Sequence, residues 1–144
     1  SMGIEPIKSN YFIKDLAKSK TVYKNPFLEA QLEKHGLNNP KTWQSILKKD
    51  GSVQHLDFPN KAVFKSFVEI SPKEIVLQAA QRQKYIDQSQ SLNLMIDPSV
   101  EPKDINKLYM YAWEEGVKTL YYQFSKSSAQ DFARNILECS SCEG

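Results

Sequence analysis

Cysteine is scarce in this sequence, since Cys139 and Cys142 are the only two and both lie within the last six positions of a 144-residue chain. A disulfide between them would close a very small loop and would restrict the unfolded chain very little. Two cysteines cannot complete a four-ligand zinc site, and His35 and His55 are expected on separate elements. The pair is therefore either inert on a frayed end or a C-x-x-C suited to reversible thiol–disulfide exchange.

Several other signals are also missing. No apolar run approaches the ~20 residues of a membrane helix, and no charged-then-apolar leader is present, so we expect a cytoplasmic protein without a membrane partner. The 19 basic and 17 acidic residues do not segregate into a basic patch, which argues against a nucleic-acid partner. A glycine-rich phosphate loop, a metal-ligand cluster and a nucleophile–base triad are all absent, and this excludes several enzyme classes.

The residues that are present predict a folded α/β chain. Hydrophobic residues make up 40% of the sequence and aromatic residues 11%, and the length is that of one domain, in which a single core is possible but not required. Near the N-terminus, Tyr11-Phe12-Ile13 and Thr21-Val22-Tyr23 are strand-like runs joined by a short polar segment. We expect them to form a hairpin.

Four helices are predicted next from their start and stop signals. Asn25-Pro26 and Asn39-Pro40 each supply an N-cap followed by proline at the first helical position. A third helical segment is expected from Pro59 and a fourth from Ser71, which has the spacing of a capping box with Glu74. The residues expected to face the core are Trp43, Ile46 and Leu47 in the second helix, Val63, Phe64, Phe67 and Val68 in the third, and Ile75, Val76, Ala79 and Ala80 in the fourth.

A strand, a fifth helix and a second strand complete the ordered part. Residues 92–96 alternate apolar and polar, and residues 117–124 are β-branched and aromatic, so the segment predicts a βαβ unit with parallel strands. Sites in α/β proteins lie at the carboxyl ends of such strands, which makes Tyr121 and Tyr122 candidates. The alternative is that both are ordinary core and edge aromatics. The stripe expected to be buried in the fifth helix, which Gly116 ends, is Ile105, Leu108, Tyr109, Ala112 and Trp113.

Two runs are more specific than the rest: Tyr-Ile-Asp-Gln-Ser-Gln-Ser-Leu-Asn at 85–93 and Lys-Thr-Leu-Tyr-Tyr at 118–122. With Gly3-Ile4-Glu5-Pro6 and Glu69-Ile70-Ser71, they resemble, in order, the carboxyl-terminal part of the class I ribonucleotide reductase large subunit. The similarity extends over residues 3–124, and the terminal cysteine pair matches in kind.

This resemblance implies a fold and an activity. Residues 1–124 would form the helix-rich carboxyl-terminal part of a ten-stranded α/β barrel, with an N-terminal hairpin, and residues 125–144 would form a flexible redox-active tail. The complete enzyme would reduce ribonucleoside diphosphates to deoxyribonucleoside diphosphates for DNA synthesis. Tyr122, nearer the small subunit, and Tyr121, nearer the active site, would relay an oxidising equivalent. Cys139 and Cys142 would re-reduce the active-site disulfide.

The resemblance also implies partners: the rest of the large subunit, a small radical-generating subunit with its metal, and thioredoxin or glutaredoxin. No cofactor is expected in this chain, whereas the complete enzyme would bind ATP or dNTP effectors upstream. No cysteine precedes Cys139, so the thiyl residue and the active-site dithiol are missing. We therefore do not expect the chain to be active alone.

Two other interpretations remain. One is a non-catalytic module that binds the small subunit or the rest of the barrel, and the other is a standalone dithiol or metal-binding tail protein. A relay through Tyr121 and Tyr122 carries a geometric requirement. Adjacent side chains of a regular strand point to opposite faces, so the backbone at this pair must depart from strand geometry for the rings to approach.

Overall fold

The structure is a computed structural model that describes residues 4–16 and 19–125, with the side chains of 14–20 left out. The described chain divides into two compact units, one ending at Ile70 and the other beginning at Ser71. The turn of the expected hairpin, at residues 17 and 18, lies outside this description. The same holds for the tail from residue 126 onward, which contains Cys139 and Cys142.

The first unit begins with two antiparallel strands, β1 (Tyr11–Leu16) and β2 (Ser19–Lys24), in which Tyr11 lies opposite Lys24. Helices α1 (Pro26–Lys34) and α2 (Pro40–Lys48) follow. Both predicted caps are confirmed. The Oδ1 of Asn25 accepts from the Phe27 amide at 3.1 Å, and that of Asn39 accepts from the Thr42 amide at 3.0 Å. Each cap satisfies backbone donors that the first helical turn leaves unpaired.

The core of the first unit lies between its two helices and the loop after them. Leu47 was expected in this core, but it is 37% exposed. The buried face of α2 is centred on Thr42, Trp43 and Ile46, so Leu47 falls at its edge. The buried core residues are Leu28, Leu32, Trp43, Ile46, Val53 and Phe58.

The predicted third helix is wrong. In its place are two short 3-10 turns, Lys61–Phe64 and Phe67–Glu69. Asn60 adopts a left-handed conformation with φ of 59°, and the backbone between the two turns is extended, so no continuous helix can form. Val63 is 78% exposed as a result, whereas Phe67 is only 2% exposed. The helical spacing of these apolar residues was therefore not a helix signal.

The second unit contains α3 (Pro72–Gln83), β3 (Leu94–Met95), α4 (Pro102–Glu114) and β4 (Gln123–Phe124). The strands β3 and β4 pair in parallel, which confirms the predicted βαβ unit, although both strands are shorter than expected. Gly116 follows α4 and has φ of 81°, in the left-handed region that is common just after the end of a helix. This confirms that Gly116 ends the helix. The predicted capping box of α3 is not formed, since the Ser71 side chain makes no capping hydrogen bond.

The core of the second unit is formed by α3, β3 and one face of α4. The predicted α4 stripe is only partly buried, because Leu108 and Ala112 are covered while Tyr109 and Trp113 are 41% and 71% exposed. Each of the two sheets in the described chain has two strands, and they do not close into a barrel. Within residues 4–16 and 19–125, no helix has the length and apolar character needed to span a membrane. The buried apolar residues are Ile75, Val76, Ala79, Ala80, Leu92, Leu94, Ile96, Leu108, Ala112 and Val117.

Candidate functional site

Tyr121 and Tyr122 lie side by side immediately before β4. Their ring centroids are 4.1 Å apart with the ring planes tilted by 56°, and their hydroxyl oxygens are 3.5 Å apart, with Tyr121 as the donor. The expected approach of the two rings is therefore confirmed. The pair is also open to its surroundings, since Tyr121 is 60% and Tyr122 56% exposed.

The parallel pairing beside this pair follows a regular pattern up to Tyr122. The Leu94 amide donates to the Tyr122 carbonyl at 2.9 Å, and the Ile96 amide donates to the Phe124 carbonyl at 2.8 Å. In such a ladder, every second residue turns both its N–H and its C=O toward the neighbouring strand. Continued by one step, this pattern would pair the Tyr122 amide with the carbonyl of Leu92.

The observed pairing differs at that step. The carbonyl of Leu92 accepts from the Tyr121 amide at 2.8 Å, and the Tyr122 amide donates instead to the side-chain Oδ1 of Asn93 at 3.2 Å. Two residues of one segment thus oppose a single residue of the other, which is the arrangement of a β-bulge. Because the bulge interrupts the alternation of side chains, adjacent tyrosines can place their rings together.

The loop that precedes β3 is fixed by the side chain of Gln90. Its Nε2 donates to the Ala79 carbonyl at 2.8 Å and to the Gln83 Oε1 at 3.1 Å, and its Oε1 accepts from Arg82 Nε at 3.2 Å. Gln83, itself 8% exposed, also donates to two carbonyls of the loop. Residues 85–93 are therefore anchored on α3.

The two most specific runs of the sequence contact each other directly. The hydroxyl of Thr119 donates to the Gln90 carbonyl at 3.0 Å, and the Lys118 ammonium donates to the carbonyl of Asp87. These bonds hold the segment that leads into the tyrosine pair against the loop before β3. The runs at 85–93 and 118–122 thus form one local structure.

A further contact joins α4 to β4 next to the pair. The Tyr109 hydroxyl donates to the Gln123 Oε1 at 2.6 Å, and the rings of Tyr122 and Phe124 have centroids 6.0 Å apart. Tyr122 therefore has an aromatic neighbour on each side, Tyr121 and Phe124.

The hydrogen bond within the pair raises the pKa of Tyr121 above its ordinary value of 10.0, and loss of water contact adds to the rise. The cause is that Tyr121 would lose its donated bond on ionisation. Burial, followed by the charges of Glu115 and Glu74, raises the pKa of Tyr111 on α4 as well. Tyr121 is thus a neutral hydrogen-bond donor at physiological pH.

The structure brings together half of the predicted site. Tyr121 and Tyr122 are adjacent, while Cys139 and Cys142 lie outside the described residues. The sequence did not predict a role for Asn93 beside the tyrosine pair. Its place at the end of the specific run at 85–93 was the one signal that pointed to it. In the part of the chain that is described, no group of three or more His, Cys, Asp or Glu residues could hold a metal ion.

Both histidines lie in the first unit. The Nε2 of His55 lies 3.0 Å from the Ser45 hydroxyl, a contact that the sequence did not predict. Burial, followed by the charges of Lys49 and Lys61, lowers the pKa of His55 below its ordinary value. His35 is the C-terminal cap residue of α1.

Comparison with known proteins gives matches along nearly the whole chain. Residues 1–123 match the family model described as "Ribonucleotide reductase, barrel domain". The ribonucleoside-diphosphate reductase large subunit of Invertebrate iridescent virus 6 is 38% identical over 139 residues, covering 90% of this chain and 14% of that protein. The large subunit of Danio rerio is 36% identical over 133 residues, covering 88% of this chain and 16% of that protein.

A solved structure gives the same result at the level of the fold. The alpha subunit of the class Id ribonucleotide reductase of Actinobacillus ureae superposes with a TM-score of 0.76 at 50% identity. The superposition covers 86% of this chain and 22% of that one. The chain therefore spans between about a seventh and about a quarter of the length of these relatives.

Proposed function

Because the chain belongs to the ribonucleotide reductase barrel-domain family, we propose that it forms part of a ribonucleoside-diphosphate reductase large subunit. That enzyme would reduce ribonucleoside diphosphates to deoxyribonucleoside diphosphates, which are needed for DNA synthesis. The family match and the superposition support an α/β barrel-type fold for the complete subunit. This chain would contribute the tyrosine relay and the terminal dithiol.

The contact between Tyr121 and Tyr122 is the observation that carries this proposal. A phenol gives up an electron and its proton together when an acceptor for the proton is in reach, and the two hydroxyl oxygens are 3.5 Å apart. If Tyr122 is oxidised first to a neutral radical, the O–H bond of Tyr121 breaks and an O–H bond forms on Tyr122. One electron and one proton move in that step, and the radical passes to Tyr121.

The direction of the hydrogen bond and the exposure of the pair fit this order. Tyr121 donates to Tyr122, so the proton already lies between the oxygens that would exchange it. Both rings are more than half exposed, so each can contact a group supplied by another part of the complex. In the proposed assembly the small subunit with its metal lies beyond Tyr122, and the rest of the barrel lies beyond Tyr121.

The second proposed role belongs to Cys139 and Cys142. Their two thiols would reduce the disulfide formed in the active site at each turnover, and would themselves become a disulfide. Thioredoxin or glutaredoxin would then reduce that disulfide by the same exchange. ATP or dNTP effectors would bind upstream of this chain, and the assembly would be cytoplasmic.

Tyrosine-to-phenylalanine variants test the relay in the complete large subunit assembled with its small subunit. Tyr121→Phe and Tyr122→Phe each keep the ring but remove the oxidisable hydroxyl, so deoxynucleotide formation should fall to background in both. Tyr23→Phe is the matched control, because Tyr23 lies on β2 of the first unit, outside both runs of this local structure. Full turnover in either relay variant would contradict the proposal and would leave the non-catalytic module as the remaining interpretation.

A further inference from the structure

We propose that Asn93 is a positioning residue for the tyrosine pair, acting through the side-chain hydrogen bond that it accepts from the Tyr122 amide. This inference rests on the proposed relay. It assigns to Asn93 no contact with the reacting groups. Its role is to select the bulged backbone that keeps the two phenols together.

Two backbone pairings are available to the segment before β4. In the regular pairing the Tyr122 amide would bond to the Leu92 carbonyl, and Tyr121 and Tyr122 would point to opposite faces. In the observed pairing the Tyr121 amide donates to the Leu92 carbonyl at 2.8 Å, so the Tyr122 amide needs another acceptor. The Oδ1 of Asn93 is that acceptor, at 3.2 Å.

The position of Asn93 immediately before β3 explains why its side chain reaches this amide. Leu92 and Leu94 on either side are 3% and 2% exposed, so both leucines face the core. Alternation of side chains along an extended backbone then directs the Asn93 side chain to the other face. With its backbone fixed by two buried neighbours, Asn93 presents its carboxamide at a defined place next to Tyr122.

Removing the Asn93 acceptor changes the balance between the two pairings. The bulged state would leave the Tyr122 amide without a protein partner, whereas the regular state would satisfy it with the Leu92 carbonyl. The chain should therefore shift toward the regular state, which separates the phenols and slows the relay. Substrate binding should be unaffected, because the proposed role of Asn93 is confined to the backbone of the tyrosine pair.

The test compares three substitutions in the complete large subunit assembled with its small subunit. Asn93→Leu has nearly the same shape but no acceptor, Asn93→Ala removes the acceptor without added bulk, and Asn93→Asp keeps an acceptor oxygen. We expect kcat to fall on the order of tenfold to a hundredfold in Asn93→Leu and Asn93→Ala, the size of loss that misplacement by about 1 Å produces. KM for the nucleoside diphosphate and the thermal midpoint should stay unchanged, and Asn93→Asp should keep most of kcat.

Gln81→Leu serves as the matched amide-to-leucine control, because Gln81 is exposed on α3. Unchanged kcat in both Asn93→Leu and Asn93→Ala would overturn the inference, and so would an equal loss in Asn93→Asp. A fall in kcat that is matched by a rise in KM or a drop in thermal midpoint in both Asn93→Leu and Asn93→Ala would show a general structural role and would also overturn it. Tyr121→Phe, measured alongside, separates the two proposals, because full turnover in that variant would refute the relay itself.

Discussion

The Nδ2 of Asn10 lies 2.9 Å from the carbonyl oxygen of Gly51, although 41 positions separate the two residues in the sequence. The same nitrogen donates to the Phe64 carbonyl at 2.7 Å, and the Oδ1 of Asn10 accepts from Asn25 at 2.9 Å. Asn10 is fully buried. One carboxamide thus joins the lead-in segment, the cap of α1, the loop after α2 and the first 3-10 turn.

Gly51→Ala should therefore be strongly destabilising. A methyl group at Gly51 would lie 1.9 Å from the Ser9 Oγ and 2.8 Å from the backbone nitrogen of Asn10, and the φ of 83° adds strain. We expect a loss of about 3 kcal/mol or more in the free energy of unfolding, measured by urea titration of this chain.

Gly36→Ala separates the collision from the backbone strain. Gly36 has φ of 66°, but beyond its two chain neighbours no atom of the described residues lies within 4 Å of the added carbon, so its substitution should cost only about 1–2 kcal/mol. Equal losses in the two variants would show that the close approach of Ser9 and Asn10 is not the cause.

Local signals located four of the five predicted helices in this chain. The Asn-Pro pairs located α1 and α2 because capping is a local interaction between neighbours in the sequence. The helix predicted from Pro59 was wrong, because the spacing of apolar residues does not reveal the left-handed conformation of Asn60 or the extended backbone after Phe64. The predicted burial of Trp113 was wrong for another reason. Burial depends on which other elements cover a helix face, and the periodicity of apolar residues does not show this.

Substitution of Ser66 and of Ser71 should have different effects on stability. The capping box was expected at Ser71, but the reciprocal contact forms at Ser66, whose amide and hydroxyl donate to the Glu69 carboxylate at 2.8 and 2.9 Å. Ser66 is 1% exposed. Ser66→Ala should lower the free energy of unfolding by about 1–3 kcal/mol, and Ser71→Ala by less than about 0.5 kcal/mol, by urea titration. The reverse order would show that the Ser71 box forms in solution.

The Glu69 carboxylate should make stability depend on pH in the acid range. Burial pushes its pKa upward, but hydrogen bonds from Ser52 and Ser66, with the charge of Lys65, bring the pKa below its ordinary value of 4.5. A lowered pKa in the folded state means that the unfolded state binds this proton more readily. The stabilisation is therefore present above the ordinary value and is lost as the pH falls through the folded value.

Thermal midpoints of the wild-type chain and of Glu69→Gln, measured from about pH 6 to about pH 3, check this dependence. The wild-type chain should lose stability on acidification more steeply than the variant. Glu114→Gln, at an exposed position on α4, should follow the wild-type curve. Parallel curves for wild type and Glu69→Gln would contradict the assignment.

The sequence pointed to the tyrosine pair and to a departure from regular strand geometry there, but not to the contact that accompanies this departure. The aromatic run and its place at the end of a parallel strand pointed to Tyr121 and Tyr122. The bulge that brings their rings together depends on which acceptor the Tyr122 amide takes. That choice involves Asn93, which is distant in sequence, and a two-residue alternation does not encode it.

The phenol of Tyr121 provides a measurement of the pair that does not depend on turnover. Its donated bond to Tyr122 is the largest cause of its raised pKa, because ionisation removes the donated proton. Tyr122→Phe should therefore lower the pKa of Tyr121 toward 10.0, its ordinary value.

Carbon-13 NMR of ring-labelled tyrosine, followed through an alkaline titration, would show the shift, with the Tyr121 signal assigned from Tyr121→Phe. Tyr23→Phe, in the first unit, should leave the Tyr121 titration unchanged. An unshifted Tyr121 pKa in Tyr122→Phe would mean that the two phenols are not hydrogen-bonded in solution, and the proton path on which the relay depends would be absent.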